Sequence, residues 1–311
     1  HPDAAEEIMG TVHWTWESEP YYLEGRDEPI AVGKKTGVNN FCIGIQSNWA
    51  GCTSCHAGYG WEDAEFDFSS PENVDCLVCH DNSGTYRKGP AGIPLEGVDL
   101  AAAAQSVATP TRDNCGSCHF NGGGGNGVKH ADLDEHLLNP PENLDVHMGR
   151  NDFQCVDCHQ TDNHEIGGQG MSVSLSNEGR IYCTDCHQDN LHEDDRINDH
   201  VATVACQTCH IPAGAIKDPT KVYWDWSTAG QDDIEEDAHT YLKIKGSFVY
   251  ESEFVPEYAW YSGVESRYIW GDPLNENGPT VLNPPKGDIN DTEALIYPFK
   301  IHRAKQPYDE V

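Results

Sequence analysis

Hydrophobic and polar positions follow one another in short bursts along the 311 residues, with no long periodic segment. No run reaches the ~18 apolar residues that mark a membrane span. Val98–Val107 (VDLAAAAQSV) is the best helical stretch, with Asp99 as N-cap and Pro110 beyond its end. Glu6–Trp16 reads as a helix start followed by an aromatic segment. Thr240–Tyr250 (TYLKIKGSFVY) alternates and reads as one or two strands. Asn121–Gly127 (NGGGGNG) is a turn permissive of unusual backbone angles, and it stands just before Lys129 and His130. Pro and Gly between Gly271 and Gly287 suggest an irregular wrap.

Composition sharpens this picture. Hydrophobic residues make up 37%, too few for an ordinary core in a chain of this size. Asp and Glu number 52 against 19 Lys and Arg, a formal charge of -33. A surface this acidic repels phosphate backbones and rules against nucleic-acid binding; it suits a basic partner. The 8 Trp, 13 Tyr and 13 Cys argue against disorder.

Twelve of the cysteines fall into six copies of C-x-x-C-H: Cys52/Cys55/His56, Cys76/Cys79/His80, Cys115/Cys118/His119, Cys155/Cys158/His159, Cys183/Cys186/His187 and Cys206/Cys209/His210. Composition alone predicts about 0.03 copies. The spacing fits covalent haem attachment: each thiol of a pair adds to one vinyl group, and the adjoining His becomes an axial ligand of the iron. Zinc ribbons also use paired C-x-x-C but do not need a His after every second Cys. Six haems would then supply most of the core. Covalent c-type haem is normally fitted outside the cytoplasmic membrane of prokaryotes, so a periplasmic or extracellular protein is expected.

The expected fold is therefore mainly short α-helices and long loops around a packed haem chain, with minor β structure in the C-terminal third. Residues 1–51 form an N-terminal segment, 52–210 the haem-bearing body, and 211–311 an aromatic-rich cover without a haem motif. Second axial ligands are sought among the histidines outside the motifs. His164, His192 and His200 have the best positions, and His1, His13, His136, His147 and His302 complete the expected set; His130 and His239 remain. Cys42, the thirteenth cysteine, is either a buried small side chain or a thiol beside a substrate.

Asn39–Trp61, Gly125–His136, Cys155–Gly168 and Phe299–Asp309 resemble stretches of the octahaem tetrathionate reductase family, and the resemblance covers nearly the whole chain. The family has eight haems. HPDAAEEIMGTVHWTW at the start resembles the stretch following the family's first C-x-x-C, which makes His1 the end of a seventh motif and this chain the interior of an octahaem protein. The resemblance implies that Lys129 is the proximal ligand of a catalytic haem, by motif order that of Cys52 and Cys55. His56 then either binds opposite Lys129 or is displaced; His130 in place of Lys129 is the other reading. The resemblance also places Cys42 beside that haem. Asn40 is a nearby polar candidate, and Asp132 and Asp134 are candidate proton donors.

The function expected is that of an exported multihaem reductase. It takes electrons from a basic or membrane-anchored redox partner and reduces a small inorganic sulfur or nitrogen compound: tetrathionate, nitrite or hydroxylamine. Two alternatives stay open. One is an electron conduit without turnover, as a homo-oligomer or filament; the other is hydroxylamine oxidation.

Overall fold

The computed structural model describes residues 2–42, 44–170, 175–188 and 190–308. Its ten α-helices are short: α1 Ala4–Met9, α2 Val12–Thr15, α3 Trp49–Cys52, α4 Leu77–His80, α5 Leu100–Gln105, α6 Arg112–His119, α7 Val146–Asn151, α8 Cys155–Cys158, α9 Asp195–His200 and α10 Cys206–His210. The longest, α6, has eight residues. Such helices are not stable in isolation, so tertiary contacts must hold them. The alanine-rich stretch forms α5 as expected, with the Asp99 carboxylate accepting hydrogen bonds from the Ala101 and Ala102 amides at 3.1 and 3.0 Å. Near the N-terminus the chain makes two helices, α1 and α2, with a turn at Gly10 and Thr11 between them.

Strands lie mostly in the C-terminal third. A small hairpin pairs β1 (Thr161–Asp162) with β2 (Glu165–Ile166). The remaining strands are β3 (Thr220–Asp225), β4 (Tyr241–Leu242), β5 (Gly246–Glu251), β6 (Glu257–Tyr261), β7 (Leu295–Phe299) and β8 (Arg303–Lys305). The alternating run 240–250 thus becomes the β4–β5 hairpin. Four strands form one sheet in the order β4-β5-β3-β8, while β6 and β7 pair separately. β8 runs parallel to β3, so residues 300–302 carry the chain from the second sheet to the edge of the first.

Apolar side chains form four separate clusters among the described residues, not one core. They centre on Leu23/Val32/Leu175/Ile269, Trp16/Ile45/Trp61, Phe41/Trp224/Phe248 and Val78/Tyr86/Ala103. Polar ties cross between them. The buried Arg112 guanidinium at the start of α6 donates to the carbonyls of Leu138, Met148 and Phe153, fixing α6 against the segment that carries α7. Among the described residues no helix is long and apolar enough to cross a membrane.

Candidate haem sites and a lysine-bearing centre

All six C-x-x-C-H motifs sit on a single turn of α- or 3-10 helix. Positions i and i+3 of such a turn share a face, so both thiols of a motif point the same way. All twelve are free of disulfides.

The motifs also touch one another. The Cys55 thiol lies close enough to that of Cys118 to interact with it, as does Cys115 with Cys155 and Cys183 with Cys206. Cys158 lies within electrostatic reach of Cys186, and Cys79 of Cys115. In space the motifs therefore run from Cys52/Cys55 through Cys115/Cys118, Cys155/Cys158 and Cys183/Cys186 to Cys206/Cys209. Cys76/Cys79 is a side branch on the Cys115 motif.

Seven of the twelve motif thiols are partly buried, and five, Cys76, Cys158, Cys183, Cys186 and Cys209, are exposed. Their assignment to haem attachment rests on the C-x-x-C-H spacing and on the helical turn that each pair shares, not on burial.

Four motif histidines each face a second imidazole. The ring centroids are 6.2 Å apart for His13 and His119, 6.3 Å for His80 and His164, 6.0 Å for His147 and His187, and 6.2 Å for His192 and His210. This is too far for ring contact. It suits one metal ion between two imidazoles, at about 2 Å from each nitrogen. Several of these rings direct Nδ1–H away from the gap: His80 to the Ala108 carbonyl at 2.9 Å, His164 to the Glu7 carboxylate at 2.7 Å and His192 to Asn198 Oδ1 at 3.3 Å. That leaves Nε2 free for iron, the usual way a protein orients a ligand imidazole. Burial, reinforced by Lys34, lowers the pKa of His13; burial and His13 take that of His119 to about 4, so both rings are neutral ligands at pH 7. Paired thiols on one face and paired imidazoles across a gap fit haem c.

Cys52/Cys55 is different. His56 is fully buried, and Trp14, Trp16, Trp61, Phe66 and Phe68 surround its ring at centroid separations of 4.8 to 5.9 Å. Its Nε2–H donates to the Trp14 carbonyl at 2.7 Å. The nitrogen that would meet iron is therefore engaged here, while Nδ1 is buried without a partner.

Lys129 is one of three lysines at this motif, with Lys34 and Lys88. Burial lowers its pKa to about 8, with Lys34 and Arg267 acting in the same direction and Cys42 and Cys52 opposing them. A lysine ligates only as the neutral amine, and this setting makes that form accessible. Cys42 also lies within electrostatic reach of Lys221, whose Nζ is held 3.8 Å from the ring centres of both Trp224 and Phe248. The turn presenting Cys42 is strained. Phe41 has φ of +67°, and it keeps that left-handed conformation because its ring stacks on His302 at 4.4 Å and its carbonyl accepts a hydrogen bond from Trp226 Nε1 at 3.0 Å. Asn40 Oδ1, next to it, is buried without a hydrogen-bond partner.

The crystal structure of octaheme cytochrome c from Shewanella oneidensis is similar to the whole of this chain. The two are 50% identical, with a TM-score of 0.92 over 100% of this chain and 71% of the other. The chain belongs to the octahaem cytochrome c family. This is the family, that of octahaem tetrathionate reductase, which the sequence resembles. The family description "Cytochrome c bacterial" matches residues 221–311. No curated protein matches the chain. A multihaem c-type cytochrome with covalently bound haem and an electron-transfer role is thereby shown, and its fold of short helices, loops and C-terminal strands is the one expected.

Within this cytochrome several candidate residues have other roles. Asp132, expected to supply protons, accepts hydrogen bonds through both carboxylate oxygens, at 2.7 Å from each of the Ala215 and Ile216 amides. It anchors a loop. His302, a candidate iron ligand, donates Nε2–H to the Lys129 carbonyl at 2.9 Å. His136 keeps Nε2 available, its Nδ1–H directed at buried Asp134 at 3.1 Å. Asp134 itself is spent on the His136 ring and amide. His159 donates Nδ1–H to the Gly167 carbonyl at 2.8 Å, and among the described residues no histidine faces it at the spacing of the other pairs. His200 closes α9 and joins none of the four pairs; His1 lies outside the described residues. Sequence reasoning missed Lys300 and Thr220, which reach the Lys129 loop from the C-terminal strands. The only available signal for Lys300 was its place beside His302 in the Phe299–Asp309 string.

Proposed function

We propose that this cytochrome is an exported reductase that passes electrons along its haems to a lysine-ligated centre at Cys52/Cys55, where a small inorganic substrate is reduced. The observation that carries the reading is the contrast at that motif: His56 is occupied by the Trp14 carbonyl, while Lys129 stands beside Cys52 with a lowered pKa. Lys129 and the twelve motif cysteines would hold the haems, together with the four paired sets of histidines. When bound, haem c supplies one-electron transfer and, at an iron lacking a second protein ligand, a place for substrate.

The chain's own groups suit an anion. Around Lys129, itself neutral as a ligand, Lys34 and Arg267 act electrostatically, and Lys221 and Lys300 lie close by, in a protein whose net charge is -33. Their summed field favours tetrathionate or nitrite over neutral hydroxylamine. Reduction of tetrathionate adds two electrons, breaks the central S–S bond and releases two thiosulfates without a proton. The engagement of Asp132 is therefore no obstacle to this substrate. The contacts from Cys206/Cys209 to Cys52/Cys55 provide a continuous route for both electrons. The acidic surface favours a basic electron donor, with an encounter rate that falls as salt rises.

Protein-film voltammetry with tetrathionate, nitrite and hydroxylamine tests the reading. A catalytic reduction current with one of them, lost in Lys129→Met, is expected. Haem waves unchanged by every substrate would leave an electron conduit as the better account.

A further inference from the structure

Lys129 is carried on a segment that has little stiffness of its own. The preceding residues 121–127 include five glycines; Gly123 and Gly124 have φ of +85° and +90°, and Ala131, just beyond, is left-handed at +50°. Glycine-rich chain loses much conformational freedom when fixed. A side chain that must meet a metal at one place needs tethers from outside such a segment.

The tethers come from the haem-free C-terminal third. Lys300 Nζ, in the connector between β7 and β8, donates to the carbonyls of Val128 at 2.9 Å and Lys129 at 2.8 Å, and to Thr220 Oγ1 at 2.5 Å. The three acceptors match the three N–H donors of an ammonium group. Thr220, fully buried at the start of β3, donates its own proton to the Gly127 carbonyl at 2.7 Å. His302, two residues after Lys300, adds the second donor to the Lys129 carbonyl. Three successive carbonyls, 127 to 129, are thus held by side chains from two places in one sheet system. β8 pairs in parallel with β3, so Thr220 and the 300–302 connector are themselves fixed relative to each other.

We infer that Lys300, Thr220 and His302 form a carbonyl clamp that positions Lys129 for ligation. They are positioning residues and touch no reacting atom. The clamp gives the β-rich, haem-free segment a task beside the haem body: the segment sets the ligand geometry of one centre. The inference rests on the reading of Lys129 as an iron ligand.

The test uses the holoprotein and the electron paramagnetic resonance of its ferric state. The low-spin signals of the bis-histidine haems serve as an internal control of folding. In wild type the Cys52/Cys55 haem gives a signal distinct from these, and Lys129→Met alters it. In Lys300→Met the fraction of protein with the Lys129-ligated signal falls about tenfold, since the hydrogen bonds to the Val128 and Lys129 carbonyls and to Thr220 are lost together. Thr220→Val, nearly isosteric, lowers it less. Lys300→Arg, which retains donors and charge, recovers part of the loss. The low-spin signals stay as in wild type throughout.

A Lys129-ligated signal of wild-type intensity in both Lys300→Met and Thr220→Val would overturn the clamp, even if the variants melted earlier. A wild-type signal indifferent to Lys129→Met would instead overturn the ligand reading on which it rests. Loss of the low-spin signals in Lys300→Met shifts the decision to Thr220→Val, where an unchanged Lys129-ligated signal overturns the clamp and a reduced one supports it.

Discussion

The Nε2 nitrogen of His56 lies 2.7 Å from the carbonyl oxygen of Trp14, and this hydrogen bond occupies the nitrogen that would otherwise meet iron. The carbonyl has no proton to give, so the ring proton must sit on Nε2, where an iron bond would have to form. His56→Gln keeps an N–H for the same carbonyl. We expect it to leave the spectrum of the Cys52/Cys55 haem unchanged and to cost about 1–2 kcal/mol of stability through poorer filling of the aromatic cage. Electron paramagnetic resonance beside thermal unfolding checks both parts; a new ligand state at that haem would contradict the first.

The four imidazole pairs make a graded set of expectations. Replacing His13, His147, His164 or His192 by Ala opens one coordination position, so each variant converts one haem from low to high spin. The motif contacts then separate them by function. His13 belongs to the Cys115/Cys118 motif, which touches Cys55 directly, whereas His164 belongs to the side branch. Turnover should fall at least about tenfold more in His13→Ala than in His164→Ala, because only the first lies on the route to Lys129. Steady-state reduction driven by a dye donor measures this.

Not all of this arrangement was legible in the sequence. The six motifs, α5 with its Asp99 cap and the β4–β5 hairpin follow from local spacing, because each depends on neighbours within a few residues. His164 and His192 stand near His159 and His187 in sequence, yet each faces the histidine of another motif, His80 and His210. His13 pairs with a ring more than a hundred positions away, and no local pattern carries that information. The order in which the motifs meet in space is likewise hidden, because six identical motifs do not reveal it. The role of His302 was misjudged for a related reason: its partner is a backbone carbonyl, and every residue has one. Asp132 likewise meets two backbone amides that sequence does not single out.

Burial of an ion pair between two motifs gives a stability prediction. Lys88 Nζ lies 3.1 Å from Asp75 Oδ2, with side-chain exposures of 5% and 0%. Asp75 also accepts from the hydroxyls of Tyr59 and Tyr86, each at 2.9 Å, and Lys88 donates to the Gly58 carbonyl at 3.0 Å. Lys88→Met strands a buried carboxylate and should cost about 3–5 kcal/mol. Adding Asp75→Asn should return part of that loss, a coupling that a double-mutant cycle of denaturant unfolding reads directly.

Glu265 sets a pH dependence. It is buried, and burial raises its pKa to about 8 against the opposing effects of Arg267 and Asn283. Its Oε1 has no hydrogen-bond partner. The folded chain therefore holds this proton more tightly than the unfolded chain does. The stability it contributes is complete below the ordinary carboxyl value of 4.5 and is lost as pH rises towards about 8. Glu265→Gln should flatten the decline in melting temperature across that window. An identical slope in wild type and variant would rule the assignment out.

The four separate apolar clusters carry a consequence for how the protein is made. None is large enough to draw a chain of this length together, and the helices that bear the cysteines are too short to persist alone. Before attachment the polypeptide is therefore expected to lack a stable fold of its own, with its motif thiols open to haem. Attachment and folding are then coupled, and each haem would serve as the nucleus of its own neighbourhood.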